Sequence, residues 1–309
     1  MEVRARPPEH ANRSSRFADR GVQERGSGHA GVRPTERHPL SVTEFPELRI
    51  ELGPAAEAIE RTGRRLADLL ATVDEPDRGV RGLEWTLGEL VAHLAARSGR
   101  FAAYLSGAAV PEGEIAGIAE ENRRDVRERR ERPLADLVEE LRSNVSSFVS
   151  TTHGKLGADP LPWYSGVTLD VATASGLLLG ELNVHGYDAA GTLGRPWAIA
   201  GNDARTVVRA MATLAPWYVD PDTTRGDRTT YRVVIRGGPA FRVRIDDGTA
   251  SIEPTEGEAD CTIRAEPSAL VLVLYGRISQ WRGVARARFV ATGRRPWRAL
   301  RFARSFLPP

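Results

Sequence analysis

Glu181 and His185 stand four residues apart in the stretch from Gly176 to Ala190, which reads GLLLGELNVHGYDAA. At 100° per residue, Ala174, Leu177, Leu178, Glu181, His185 and Asp188 share one helix face. Glu181 and His185 then lie one turn apart, about 5–6 Å between Cβ atoms. A carboxylate and an imidazole inside a leucine stripe need a partner, because burying either alone is costly. A divalent metal ion satisfies both at once. An intrahelical Glu–His pair at the edge of a core satisfies them too, and this helix alone leaves both readings open. Asp188 is placed either to orient His185 as a hydrogen-bond acceptor or to face solvent.

A third donor comes from an earlier helix. Trp85-Thr86-Leu87-Gly88-Glu89 carries a capping box, with Thr86 as the N-cap and Glu89 three residues on. Leu87, Val91, Leu94, Phe101 and Leu105 form the apolar stripe of the helix that follows, and His93 lies at its flank near Leu90, Arg97 and Tyr104. Alone, His93 reads as an ordinary boundary histidine. Set level with Glu181 and His185 it completes a set of three nitrogen and oxygen ligands. Three protein ligands plus one open position is the arrangement of catalytic zinc. Two histidines and one carboxylate also suit iron or nickel.

The elements that must position these residues follow from the apolar periods. A first helix begins near Pro54, with Ile59, Leu66, Leu69, Leu70 and Val73 inward. The capping-box helix is the second. Residues 118–132 are charged throughout and read as a solvated face. Pro133 opens a third long helix carrying Leu134, Leu137, Val138, Leu141, Val145 and Phe148. The fourth runs from about Leu169 to Ala190. Together they predict a four-helix bundle over residues 50–195, a fold whose core commonly holds metal sites built from facing helices.

Beyond Gly194-Arg195-Pro196-Trp197 the pattern changes. Residues 202–218 read as a helix. The period then drops to two over Tyr231–Ile235, Phe241–Ile245, Thr249–Ile252 and Cys261–Ile263, with a hairpin signal at Asp246-Asp247-Gly248. A helix from Pro267, a last strand over Ala287–Ala291 and a closing helix over Pro296–Phe306 complete residues 200–309. The fold class is α+β: a helical bundle followed by a smaller α+β domain on an antiparallel sheet. Residues 1–45 are rich in Arg, Pro, Gly and Ser without an apolar period, which predicts a disordered tail.

Of the 309 residues, 41% are hydrophobic and 27% charged, with a net charge of +2, as in an ordinary globular protein. The balance and the scattered arginines argue against a nucleic-acid partner, and no helix-turn-helix or zinc-finger spacing occurs. Lys155 is the sole lysine, a bias that fits a GC-rich genome. No apolar run reaches the roughly 18 residues of a membrane span. A single cysteine, Cys261, excludes a disulfide framework and fits a reducing cytoplasm. Its place in an expected strand marks it as a small core residue.

Trp85 to Leu94, Glu181 to Asp188 and Gly194 to Trp197 resemble three segments of the mycothiol-dependent maleylpyruvate isomerase family. Asp260 to Ile263 and Leu274 to Arg277 resemble its carboxy-terminal half more loosely. The resemblance covers about residues 50–309 and implies a DinB-like metal-binding bundle followed by a sterol-carrier-like domain. It implies His93, Glu181 and His185 as metal ligands, Arg277 as a catalytic arginine, and mycothiol as the thiol that occupies the open metal position. Arg97, one turn after His93, is a candidate cofactor-binding residue on the same face. The expected partners are a small electrophilic substrate and a low-molecular-weight thiol. The expected reaction is cis–trans isomerisation or thiol transfer, with zinc the first choice of metal. The rival reading is a non-catalytic, metal-stabilised protein that binds a small apolar ligand.

Overall fold

In the computed structural model, which describes residues 45–280 and 288–307, the apolar periods of the first half become four long helices packed side by side. They are α1 (Leu52–Leu70), α2 (Leu87–Ser106), α4 (Leu134–Thr152) and α5 (Val171–Thr192), with α3 (Ile118–Arg129) laid against α2. Helices α1 and α4 pack on each other, α1 and α2 each touch α5, and α2 packs on α4. Ile59, Leu66, Leu70, Leu90, Leu94, Phe101, Leu141 and Phe148 fill the space between them. The helix starts are chemically marked. The Glu89 amide donates to Thr86 Oγ1 at 3.2 Å and the Thr86 amide to Glu89 Oε2 at 2.9 Å, which is the capping box. The Thr173 amide donates to Asp170 at 2.6 Å and caps α5.

Nearly every residue of α5 is buried. A helix that is apolar all round belongs in a core, and α5 is covered by the bundle on one side and by α6 (Gly201–Tyr218) on the other. Two glycines allow the closest approaches. A Cβ on Gly186 would lie 2.1 Å from the Trp197 indole, and one on Gly180 would lie 2.6 Å from the Tyr275 hydroxyl.

After α6 and the short α7 (Pro221–Thr224) come β3 (Arg228–Ile235), β4 (Ala240–Asp246), β5 (Thr249–Glu253), β6 (Cys261–Ala265), α8 (Pro267–Leu274) and β7 (Phe289–Thr292). A small earlier ribbon pairs β1 (Pro160–Pro162) with β2 (Thr168–Asp170). The main sheet runs β5-β4-β3-β6-β7. Tyr231, Val233, Phe241, Val243, Ile252 and Ile263 are buried, while Arg232, Arg242 and Arg244 alternate with them at more open positions. A helical half followed by a sheet half is thus the observed architecture.

Three details differ from the sequence reading. The sheet is not wholly antiparallel: β3 pairs with β6 in parallel, because the β3-β4-β5 meander must be crossed before the chain returns beside β3. The expected closing helix is broken into a 3-10 turn (Pro296–Arg298), a single helical turn α9 (Ala299–Phe302) and another 3-10 turn (Ala303–Ser305). There the chain is drawn into extended pairing with the end of α6, the Leu307 amide donating to the Tyr218 carbonyl at 2.7 Å. Phe45, counted with the tail, is buried and precedes a 3-10 turn at Pro46–Leu48. The rest of the expected tail, residues 1–44, and Ala287 at the start of the expected last strand lie outside the described residues.

Candidate metal centre

His93 from α2 and Glu181 and His185 from α5 meet in the middle of the bundle. They are 2%, 8% and 6% exposed. One donor atom from each lies within 4.8 Å of the others. Both imidazoles aim Nε2 at the same atom, Glu181 Oε2, at 3.5 Å each. That separation is long for a hydrogen bond. It is close to the edge of a tetrahedron whose ligands sit at 2.0–2.2 Å from a zinc-like ion, about 3.3–3.6 Å. The residues therefore fit a divalent ion in donor type, number and spacing.

The electrostatics favour a neutral His93 imidazole and an ionised Glu181 carboxylate, while the carboxylates around His185 hold its ring toward the protonated form. Burial pushes His93 down to about 4, overriding its contact with Glu181. Burial alone would raise Glu181, but both imidazoles and Arg97 outweigh it and hold the carboxyl well below its usual range. Burial would lower His185, yet the Asp188 and Glu181 carboxylates outweigh it and raise the ring.

The two histidines are supported differently. His185 Nδ1 is 3.1 Å from Asp188 Oδ2. A carboxylate there favours the tautomer with the proton on Nδ1, leaving the Nε2 lone pair free for a ligand role. Asp188 is in turn gripped by Arg277, whose Nε donates to both carboxylate oxygens at 3.0 Å and whose Nη2 donates to Oδ2 at 2.8 Å. Arg277 Nη1 donates to the Tyr275 carbonyl at 2.6 Å. His93 Nδ1, by contrast, is buried with no hydrogen-bond partner. Its ring lies against Trp85 at 4.7 Å between centroids and against His185 at 4.9 Å.

Arg97 is 4% exposed, and its Nε is 3.8 Å from Glu181 Oε1. Its Nε and Nη1 are buried without a hydrogen-bond partner. The guanidinium sits over the rings of Phe101 and Trp163, at 5.0 and 5.8 Å. All six residues singled out in the sequence, Asp188 among them, thus come together, but in two roles. His93, Glu181, His185 and Arg97 face the centre, whereas Arg277 reaches it only through Asp188.

Glu181 and Arg97 also line a cavity of about 70 Å³ that continues from the bundle to the sheet. Its wall includes Trp163, Met211, Tyr218, Val243, Leu270 and Tyr275. Sequence reasoning missed this wall, because its residues come from separate elements of both halves. The one available signal was the inward alternation of β3 and β4, which placed Val233, Phe241 and Val243 on a buried face.

Residues 59–190 match the family model of the mycothiol maleylpyruvate isomerase N-terminal domain. A crystal structure of the mycothiol-dependent maleylpyruvate isomerase is similar to this chain at 14% identity and a TM-score of 0.50, covering 79% of this chain and 93% of that one. A mutant of that isomerase gives 12% identity and a TM-score of 0.49 over the same shares. The comparison with curated proteins finds no match. The family match covers the segments that hold His93, Glu181 and His185, and the solved isomerase shares the fold: the bundle of this chain is similar to the mycothiol maleylpyruvate isomerase N-terminal domain.

Proposed function

We propose that this protein is a metal-dependent enzyme that uses an external low-molecular-weight thiol, mycothiol, to isomerise an electrophilic double bond or to transfer the thiol onto it. The observation that carries this reading is that Glu181 belongs both to the three-donor cluster and to the cavity wall. A purely structural metal site is closed by four protein ligands. Here the described residues supply three, and the cluster borders a cavity that can admit a reactant.

A divalent ion, zinc as the first choice, would be held by His93, Glu181 and His185 and would supply Lewis acidity that lowers the pKa of a thiol beside it. The chain's own residues do the remaining work. Asp188 and Arg277 hold the His185 ring and its tautomer. Arg97 offers buried, unpartnered N–H groups to an anionic or carbonyl oxygen of the thiol cofactor or the substrate. The apolar wall excludes water, which would otherwise weaken these electrostatic contacts. Arg277, as a positioning residue, acts through Asp188.

Cys261 is no rival to the external thiol. It is fully buried in β6, and burial pushes its thiol pKa up. A raised pKa leaves little thiolate and an inert sulfur. The test is turnover of a maleyl substrate by metal-loaded protein with and without added thiol, following loss of the cis double bond. Strict thiol dependence, kept in Cys261→Ser, is expected. Turnover without thiol, lost in Cys261→Ser, would overturn the proposal. Metal binding without turnover on any electrophile would favour an apolar-ligand carrier instead.

A further inference from the structure

The family match is named for an enzyme acting on a compact dicarboxylate, and the wall of this cavity is poorly made for one. Among the described residues the lining holds a single cation, Arg97, already beside the Glu181 carboxylate at 3.8 Å. Arg277, the other arginine near the centre, does not line the cavity, and its three nitrogens are engaged by Asp188 and the Tyr275 carbonyl. A divalent ion at the three donors would add positive charge only at the Glu181 end. Away from that end, the cavity runs between Leu214, Val233, Phe241, Val243, Leu270 and Phe302. A second carboxylate placed there would be desolvated without a partner, which costs several kcal/mol in real proteins (about 2–7 even for a neutral polar group).

The lining also shows direction. Arg97, Glu181 and Trp163 at the inner end are buried, with the Tyr218 side chain interacting with them, whereas Met211, Leu274, Phe306 and Leu307 are partly exposed and mark the mouth. The orphaned Nε and Nη1 of Arg97 lie at the inner end. A polar head belongs beside them, and an apolar chain belongs along the wall toward the mouth.

We propose that the electrophile is an amphiphile: an α,β-unsaturated carbonyl compound with one carbonyl or carboxylate head at Arg97 and an alkyl tail along the cavity. This rests on the thiol-enzyme reading and narrows it. In the transfer reaction the thiol sulfur bonds to the β-carbon, the π electrons move to the α-carbon, and the thiol proton ends there. In isomerisation the same carbon–sulfur bond forms and breaks again, with the proton returned.

The test separates binding from turnover. Binding of butanoate, hexanoate, octanoate and maleate to the metal-loaded full chain is measured by calorimetry without thiol. Each buried methylene should tighten Kd by about fourfold, and octanoate should bind at least about tenfold more tightly than maleate. Val243→Phe, which narrows the wall, should flatten the chain-length series; Leu214→Phe serves as a second variant should Val243→Phe fail to fold. Thiol-dependent kinetics on 2-butenal, 2-hexenal and 2-octenal should show KM falling with length. A flat binding series, or maleate tighter than octanoate, overturns the amphiphile assignment even if maleyl turnover is thiol-dependent. A steep binding series with no thiol-dependent turnover of any alkenal overturns the substrate claim; the thiol-enzyme reading falls with it only where maleyl turnover is absent too, leaving a carrier of apolar ligands.

Discussion

Arg277→Ala removes a guanidinium that makes three hydrogen bonds to Asp188, whose side chain is 2% exposed. The carboxylate would keep only His185 Nδ1, at 3.1 Å. Removing one partner of a buried ion pair costs about 3–5 kcal/mol, because a charge is left buried and uncompensated. The Arg277 side chain is 18% exposed, so water can reach part of the gap, and we expect about 2–3 kcal/mol. For a body of this size that is a fall in Tm of roughly 5–10 °C. Asp188 also orients His185, and losing the support of a metal-ligating histidine costs roughly 10–100-fold in metal affinity. Differential scanning calorimetry and a chelator competition titration read the two effects separately. Arg277→Lys should recover only part of either, since an ammonium cannot make the bidentate fork. If Arg277→Ala left Tm and metal affinity unchanged and raised only KM, Arg277 would be a substrate contact, and the support chain through Asp188 would be refuted.

Gly186→Ala should cost about 1–3 kcal/mol by overpacking, because its Cβ would sit 2.1 Å from a Trp197 ring held by an Nε1 bond to the Asn183 carbonyl at 3.0 Å; a melting curve checks this. Thr86→Ala should cost about 1 kcal/mol through loss of the α2 cap, with little change in metal affinity because His93 lies two turns further on; thermal melting with a metal titration reads both. Cys261→Ser should keep turnover and cost about 1 kcal/mol at most, since the Cys261 Sγ sits 3.8 Å from the Pro296 carbonyl, an acceptor for the new hydroxyl; kinetics and melting on one preparation test this.

The bundle was legible because its signals are local. The capping box at Thr86, the apolar stripes and Pro133 all act within a few residues, and the four helices they mark are α1, α2, α4 and α5. The pairing of Glu181 with His185 follows from helical spacing alone. That His93 faces them required two helices to be set level, which the family resemblance supplied and spacing did not. The Arg277–Asp188 bond joins residues 89 apart in the chain, and no local rule connects them. The parallel β3–β6 pairing was hidden for the same reason: strand period reveals a strand, while its neighbour is chosen by the crossover and the burial of its face. The cavity wall was least legible, because apolar residues that bound an empty space look the same in sequence as those that fill a core.

The most direct test of the account is elemental analysis of the purified full-length protein beside His93→Ala, Glu181→Gln and His185→Ala, each after equilibration with one equivalent of zinc and removal of free metal. The account predicts one divalent ion per wild-type chain and a sharp loss in every variant, with thiol-dependent turnover lost in parallel. Full metal occupancy in any one of the three variants, or a wild-type protein that retains no metal, would contradict it.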